Sequence, residues 1–371
     1  MTVHLDLSQL VQDPRRSGIQ RAERELIRHW PGPTPLIPCR FDPATGDMHE
    51  LPASVLAVLC AEAAPGGVAD EQARLAPHLQ PGRPVPRSGL RLLSAELFPD
   101  PARAAYYRRL PGQSGAAAFW VVYDFLPWLH PDWFGAGAAN GVMPYLRAMA
   151  AVPHIAFISD KTRADFATRI LRRPFDGPVI PMGGDGLDLE RQAFDPASRD
   201  FVMLGTIEPR KNAAPAMRAF QRLWGQGVEA TLTMIGAVAP DAMEEQALLR
   251  ELAGHPGFRH LPGLPDAGVR AALAAARAML FPSEGEGFGI PPMEALHAGI
   301  PVIVSAQLPA LHGLPGLGQI RLPAIDPESI AAAVRTLLDD AEARRLWREA
   351  AQLQVPTWRD FAHAVAAWVG P

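Results

Sequence analysis

Short apolar runs alternate with amphipathic stretches through the second half of the chain. Positions 201–206 open with Phe-Val-Met-Leu and close on Gly-Thr, a pattern that predicts a strand buried on both faces. Apolar residues then recur with helical period over 213–224, and the same two-step repeats. Strand 231–236 precedes helix 242–253, strand 258–261 precedes helix 266–276, and strand 278–281 precedes a short helix and the strand 302–304. Further helices are expected over 327–338 and over 357–369, the last an amphipathic segment carrying Trp358, Phe361 and Trp368. Strands that alternate with helices predict a parallel, doubly wound sheet.

The first half is patterned less clearly. A strand is expected over 3–7, and a helix over 17–30 that starts near Ser17 or Gly18 and carries Arg21, Arg24 and Arg28 at helical spacing. Strand 116–123 runs into Asp124-Phe-Leu-Pro, and strand 154–158 ends at Ser159-Asp160. The stretch 31–111, rich in Pro, Gly and Ala, predicts only short strands, short helices and long loops. Residues 179–188 read as a linker. The expected division is therefore 1–181, 182–354 and a terminal helix segment 355–371, with an α/β fold of two Rossmann-like domains.

A chain of 371 residues fits two domains of common size, and 48% apolar with 20% charged residues supports packed cores. The net charge of −4 with no basic run gives no case for nucleic acid. Charge is uneven: residues 1–180 hold 19 Lys/Arg against 17 Asp/Glu, and the remainder 16 against 22. That asymmetry permits an anionic partner on the N-terminal side. Cys39 and Cys60 form neither a metal-ligand spacing nor a disulfide framework, and the scattered histidines predict no metal site. The opening Met-Thr-Val-His-Leu-Asp has no basic start or long apolar stretch, so neither a signal peptide nor a spanning helix is expected.

The chemistry concentrates in two segments. In 281–305, Glu286 lies in a loop holding Gly285, Gly287 and Gly289, and Glu294 follows eight positions later inside a helix. Pro291 and Pro292 suit that helix's first turn, and Gly299 suits its C-terminal cap. A glutamate in a loop is ordinarily a solvated charge. Here the loop leaves the carboxyl end of a parallel strand, where ligands bind, and its glycines let backbone N–H groups approach a hydroxyl or phosphate. The second segment, Gly205-Thr-Ile-Glu-Pro-Arg-Lys-Asn212, joins the first strand of the second domain to its helix. Arg210 offers a planar fork and Lys211 a point charge for a diphosphate, and Asn212 is expected to cap the helix.

These strings resemble the E-x7-E signature and the G-T-x-E-P-R-K-N motif of retaining glycosyltransferases of family 4, which have the GT-B fold. The likeness is strong over 201–305. It implies two Rossmann-like domains facing a cleft, with the C-terminal helix crossing back to the first domain. It further implies that Arg210 and Lys211 bind the donor diphosphate, with Gly205 and Thr206 beside them. Glu294 would hold the ribose diol and Glu286 the transferred sugar, while Gly287, Phe288, Gly289 and Ile290 line the donor. In the first domain the likeness places Gly18 near the donor phosphates or the acceptor, with Arg21 near the cleft. Asp124 matches a common His-Asp pair, with Tyr123 where the histidine stands, as acceptor-side positions. Relatives often carry Pro-Glu where this chain has Pro309-Ala310, and Ala310 is assigned no role.

The implied activity is metal-independent, retaining hexosyl transfer from a nucleotide-diphosphate sugar to a saccharide or lipid-linked saccharide. GDP-mannose is the first expectation for the donor, ahead of dTDP-rhamnose and UDP-hexoses. No cofactor is implied. A catalytically silent sugar-nucleotide-binding subunit, or an epimerase or phosphorylase on the same plan, remains an alternative. The expected location is cytoplasmic, with peripheral contact to an anionic membrane through Arg15, Arg16, Arg21, Arg24 and Arg28.

Overall fold

Parallel strands must be covered on both faces, and the chain meets that demand twice, in two compact units. The computed structural model describes residues 2–370 except Ser17, Pro65, Pro81, Gln113, Ser114 and Ala136, so the expected helix start at Ser17 lies outside the described residues. Unit 1 comprises Met1–Met182 and Trp358–Pro371, and unit 2 comprises Gly183–Thr357.

Unit 1 is built on β1 (Val3–Asp6), β2 (Leu36–Asp42), β3 (Asp47–Glu50), β4 (Arg91–Ser94), β5 (Ala117–Val122) and β6 (His154–Phe157), in the order β3-β2-β1-β4-β5-β6. All pairs are parallel except the β2–β3 hairpin. The chain leaves β1 toward β2 and later returns to β4 on the other side, so the switch point lies between β1 and β4. Its principal helices are α1 (Gly18–Arg28) and α2 (Pro101–Arg109). Unit 2 contains β7 (Asp200–Leu204), β8 (Thr231–Ile235), β9 (Phe258–Leu261), β10 (Ala278–Phe281), β11 (Val302–Ser305) and β12 (Gln319–Leu322). The order is β12-β11-β10-β7-β8-β9, parallel throughout, with the switch between β7 and β10. Its helices include α3 (Ala213–Gly225) and α4 (Ile290–His297). The last helix, α5 (Trp358–Val369), belongs to unit 1 and packs against α1, and its Trp368 meets Phe119 of β5 edge-on at 5.4 Å.

Several elements were not individually placed by the sequence pattern. Within 31–111 the structure holds β2, β3, β4, α2 and two shorter helices, Ser54–Cys60 and Val68–Leu75. Pro38 and Arg40 interrupt the apolar pattern of β2, and β3 and β4 are four residues each. The helix Ala138–Met149 contains Pro144, a residue that reads as a helix breaker. The helix Asp340–Gln352 buries Ala343, Leu346, Trp347 and Ala350, a plain helical period beneath a heavily charged sequence.

Unit 1 carries a buried polar network inside an aromatic core. Asp6, at the end of β1, accepts from Arg103 Nε at 2.9 Å, Tyr107 Oη at 2.6 Å and the Ser8 backbone N at 3.1 Å. Arg103, on α2, also bonds Glu96 and lies 4.0 Å from the Phe98 ring centroid. Glu96 accepts from the backbone N of Gln9 and Leu10 at 2.9 and 2.8 Å. Trp120 and Tyr107 pack edge-to-face beside this network with centroids 4.9 Å apart. Paired buried charges of this kind do little for net stability, but removing one partner is costly.

The basic face expected on α1 does not exist as a free patch. Arg24 is 2% exposed and donates to the carbonyls of Pro14, Arg15 and Leu59 at 3.0, 2.6 and 3.0 Å. Arg16 pairs with Glu71 at 2.8 Å, and Arg28 pairs with Glu25 at 2.5 Å. Arg24 is consumed in holding the chain before α1 onto the helix after β3. No helix among the described residues is long and apolar enough to cross a membrane.

Glu23, on α1, is buried, and its Oε1 has no hydrogen-bond partner among the described residues. Burial raises its carboxyl well above the ordinary range, and Glu96 and Asp6 push the same way against Arg103 and Arg24. The unfolded chain gives up this proton near pH 4.3, whereas the folded chain holds it longer. Glu23 therefore contributes most below that pH, and the contribution is lost as pH rises toward the folded value. Glu23→Gln cannot ionise, so its melting temperature should gain on the wild type between pH 5 and pH 8. An identical difference between the two proteins at both pH values would contradict the assignment.

Candidate active site

The switch point of unit 2 brings the loops that follow β7 and β10 side by side, because those two strands are hydrogen-bonded neighbours. The β7 loop is shaped by a close backbone crossing. Gly236, just after β8, has φ +145°, and a Cβ there would stand 2.1 Å from the Gly205 carbonyl oxygen. Gly205 itself has φ +133°. Ile207 then pairs with Val238 in an isolated parallel bridge, which fixes the approach to the 3-10 turn Pro209–Lys211.

From that turn Arg210 and Lys211 reach the β10 loop. Lys211 Nζ donates to Glu286 Oε1 and lies 5.0 Å from the Phe281 ring centroid. Ser283 Oγ donates to the same Glu286 oxygen at 2.7 Å, and Arg210 Nη1 stands 3.5 Å from it. Arg210 also donates to the Gly285 carbonyl and pairs with Glu208 at 2.6 Å. The backbone closes the contact, with Glu284 N donating to Arg210 O at 3.0 Å. The side chains of Lys211 and Glu286 are each 13% exposed, so this charge cluster is mostly withdrawn from water.

Asn212 does not cap α3 as expected. It occupies the N-cap position in the left-handed region, φ 55°, with no side-chain cap bond. Its Nδ2 donates instead to the Pro282 carbonyl at 3.0 Å. The left-handed backbone turns the side chain off the helix end and onto the neighbouring loop, a use open to asparagine but closed to most residues.

Glu294 sits on α4, 2% exposed. The helix starts after Gly289, where φ is +110° and a Cβ would meet Leu308 at 2.7 Å. It ends in a Schellman motif: Gly299 has φ +78° and donates to Leu296 O at 3.0 Å, and Ile300 N donates to Ala295 O at 2.8 Å. Phe288 is buried, and its carbonyl accepts from Ala310 N at 3.0 Å, so Ala310 supports the loop through its backbone. Gly184 also backs α4, since a Cβ there would stand 2.6 Å from the Met293 carbonyl.

Arg210, Lys211 and Glu286 are thus brought into one cluster, preceded in the chain by Gly205 and Thr206 on one loop and followed on the other by 287–289 and by α4, which carries Ile290 and Glu294. Gly18, Arg21, Tyr123 and Asp124 lie in unit 1. Gly18 is the first residue of α1, and Arg21 is half-buried on the same helix. Tyr123 is only 6% exposed, and burial pushes its phenol well up. Asp124 accepts from Leu126 N at 3.0 Å. The sequence reading missed Glu208, Ser283 and Gly236. Glu208 lies inside the segment 205–212 and Ser283 just ahead of Glu286 in the segment 281–305, while only the three-dimensional crossing identifies Gly236.

The two six-stranded units define the class, the GT-B fold. HepE from Anabaena, in complex with UDP and glucose, matches with TM-score 0.64 and 12% identity over 99% of this chain and 98% of that one. Residues 188–354 match the family of glycosyl transferases group 1, so unit 2 is a group 1 glycosyltransferase domain. The serotype-specific mannosyltransferase WbdA of Escherichia coli is 28% identical over 236 residues, 57% of this chain. The MMP alpha-(1->4)-mannosyltransferase of Mycolicibacterium hassiacum is 25% identical over 226 residues, 60% of this chain. The matched region spans 28% of the first relative's length and 54% of the second's.

An alanine Cβ at 236 would be driven into backbone, which cannot move aside as a side-chain tip can. Gly236→Ala should therefore cost about 1–3 kcal/mol, or about 2–4 °C in melting temperature for each kcal/mol. Gly263→Ala, with nothing within 4 Å of its Cβ, serves as the control. Equal melting temperatures for the two variants would show that the crossing is not tight.

Proposed function

We propose that this chain transfers a hexose, with retention of anomeric configuration, from a nucleotide-diphosphate sugar to a saccharide or lipid-linked saccharide. The observation that carries the reading is the cluster of Lys211, Arg210, Ser283 and Glu286 at the switch point of a group 1 glycosyltransferase domain. GDP-mannose is the preferred donor, a choice supported by relatives whose names are those of mannosyltransferases.

Bond breaking in such a donor leaves charge on the departing diphosphate. Arg210, Lys211 and the N-terminus of α4 are fixed before the reaction, so they stabilise that charge without reorganising. As the structure stands, these two cations face the carboxylates of Glu208 and Glu286. A diphosphate takes Lys211 in exchange for Glu286, which frees that carboxylate for the hydroxyls of the transferred sugar. Glu294 accepts from the ribose diol. The leaving phosphate oxygen takes the proton of the attacking hydroxyl on the same face, so the reaction needs neither a protein base nor a metal ion. The nucleotide donor argues for a cytoplasmic place of action. Contact with an anionic membrane draws little support from α1 and the residues before it, where Arg24 is buried and Arg16 and Arg28 are paired.

Charge-assisted hydrogen bonds are worth about 1.5–3 kcal/mol, so Glu294→Ala should weaken GDP binding about tenfold or more. Arg210→Ala and Lys211→Ala should lower the rate of transfer from GDP-mannose by a larger factor than they lower GDP affinity. Calorimetry and a turnover assay on folded variants check both. Unchanged GDP affinity in Glu294→Ala, with wild-type transfer in both cation variants, would remove these residues from the site.

A further inference from the structure

Unit 1 has its own switch point between β1 and β4, and a pocket lies beside it, lined by Gln9, Ile19, Gln20, Glu23, Glu96 and Leu97. We propose that this pocket binds the hydroxyl groups of an uncharged saccharide and excludes phosphate. Three observations carry the proposal. Glu23 is 2% exposed, lines the pocket, and has a buried oxygen with no hydrogen-bond partner among the described residues. A buried carboxyl without partners is costly unless a ligand satisfies it. Glu96, which also lines the pocket, is held by the backbone N–H groups of Gln9 and Leu10 and by Arg103.

The second observation is charge. Asp6, Glu23 and Glu96 gather here, and the one guanidinium among them, Arg103, is already committed to Asp6 and Glu96. Arg24 spends its guanidinium on backbone carbonyls of Pro14, Arg15, Gln20 and Leu59. A phosphate would find carboxyl groups and no free cation among these residues. The third is the mix of wall chemistry. Carboxyl and amide groups both give and accept hydrogen bonds, as sugar hydroxyls do. Ile19 and Leu97 offer apolar surface to the carbon face of a ring. A neutral Glu23 donates to one hydroxyl and accepts from another. This assigns the pocket beside Gly18 to a sugar and not to the donor phosphates. It rests on the proposed function only for the choice of a saccharide as ligand.

Saturation-transfer NMR on the full chain tests it, with methyl α-mannoside, methyl α-glucoside and methyl α-galactoside as probes in the presence of excess GDP. At least one glycoside should bind the wild type. Its affinity should fall about tenfold in Glu23→Ala and about threefold in Gln20→Ala, the range for losing one or two hydrogen bonds. Glu23→Gln, which keeps a donor and an acceptor, should stay close to wild type. Added inorganic phosphate should not displace the glycoside. Gln20 is half-buried, so its variant keeps the test alive if Glu23→Ala does not fold. No binding of any glycoside, wild-type affinity in folded Glu23→Ala or Gln20→Ala, or displacement by phosphate would overturn the proposal. A GDP titration on the same samples separates the two readings: GDP bound without a glycoside overturns the pocket alone, and a glycoside bound without GDP affinity overturns the donor site alone.

Discussion

The contact of Lys211 with Glu286 joins two loops that lie 75 residues apart in the chain. Each loop leaves the carboxyl end of one of two neighbouring central strands, β7 and β10, so the sheet order alone brings them together. Their charges are mostly withdrawn from water, where attraction is stronger than at the surface but desolvation is costly. Further bonds within the same two loops surround the pair: Ser283 to Glu286, Arg210 to Glu208 and Gly285, and Asn212 to Pro282. Without these the cations would be free to swing into solvent, and any bound anion would have to order them on arrival.

The backbone beneath the cluster is equally constrained. Gly236 lets two loops cross where a Cβ would strike the Gly205 carbonyl, Gly205 itself turns through φ +133°, and Gly289 and Gly299 delimit α4 at its two ends. The helix that carries Glu294 therefore has its start and stop set by conformations that glycine alone enters at no steric cost. Position and charge are fixed by different residues, which is why both motifs mix glycines with ionisable groups.

Much of unit 2 was legible in the sequence, because strands buried on both faces read as unbroken apolar runs and the residues of the Lys211–Glu286 cluster fall within two short loops. The directions of side chains were not legible. Asn212 has the composition of a cap, yet its left-handed backbone sends the side chain to Pro282, and nothing local in the sequence announces that. Unit 1 was harder for a different reason. Its organising polar network joins Asp6, Glu96 and Arg103, residues up to 97 positions apart, each of which looks like an ordinary surface charge in its own segment. The same distance effect hides the fate of the α1 arginines, which have helical spacing, yet Arg24 and Arg28 donate to the carbonyls of Leu59 and Cys60 on a neighbouring helix.

The central claim is that the loops after β7 and β10 form one nucleotide-diphosphate site. Hydrogen exchange on the full chain, measured with and without saturating GDP, UDP or dTDP, tests it most directly. The account predicts that at least one of these nucleotides slows exchange in peptides covering both 205–212 and 283–297. Unchanged exchange in those two segments with all three nucleotides would contradict it.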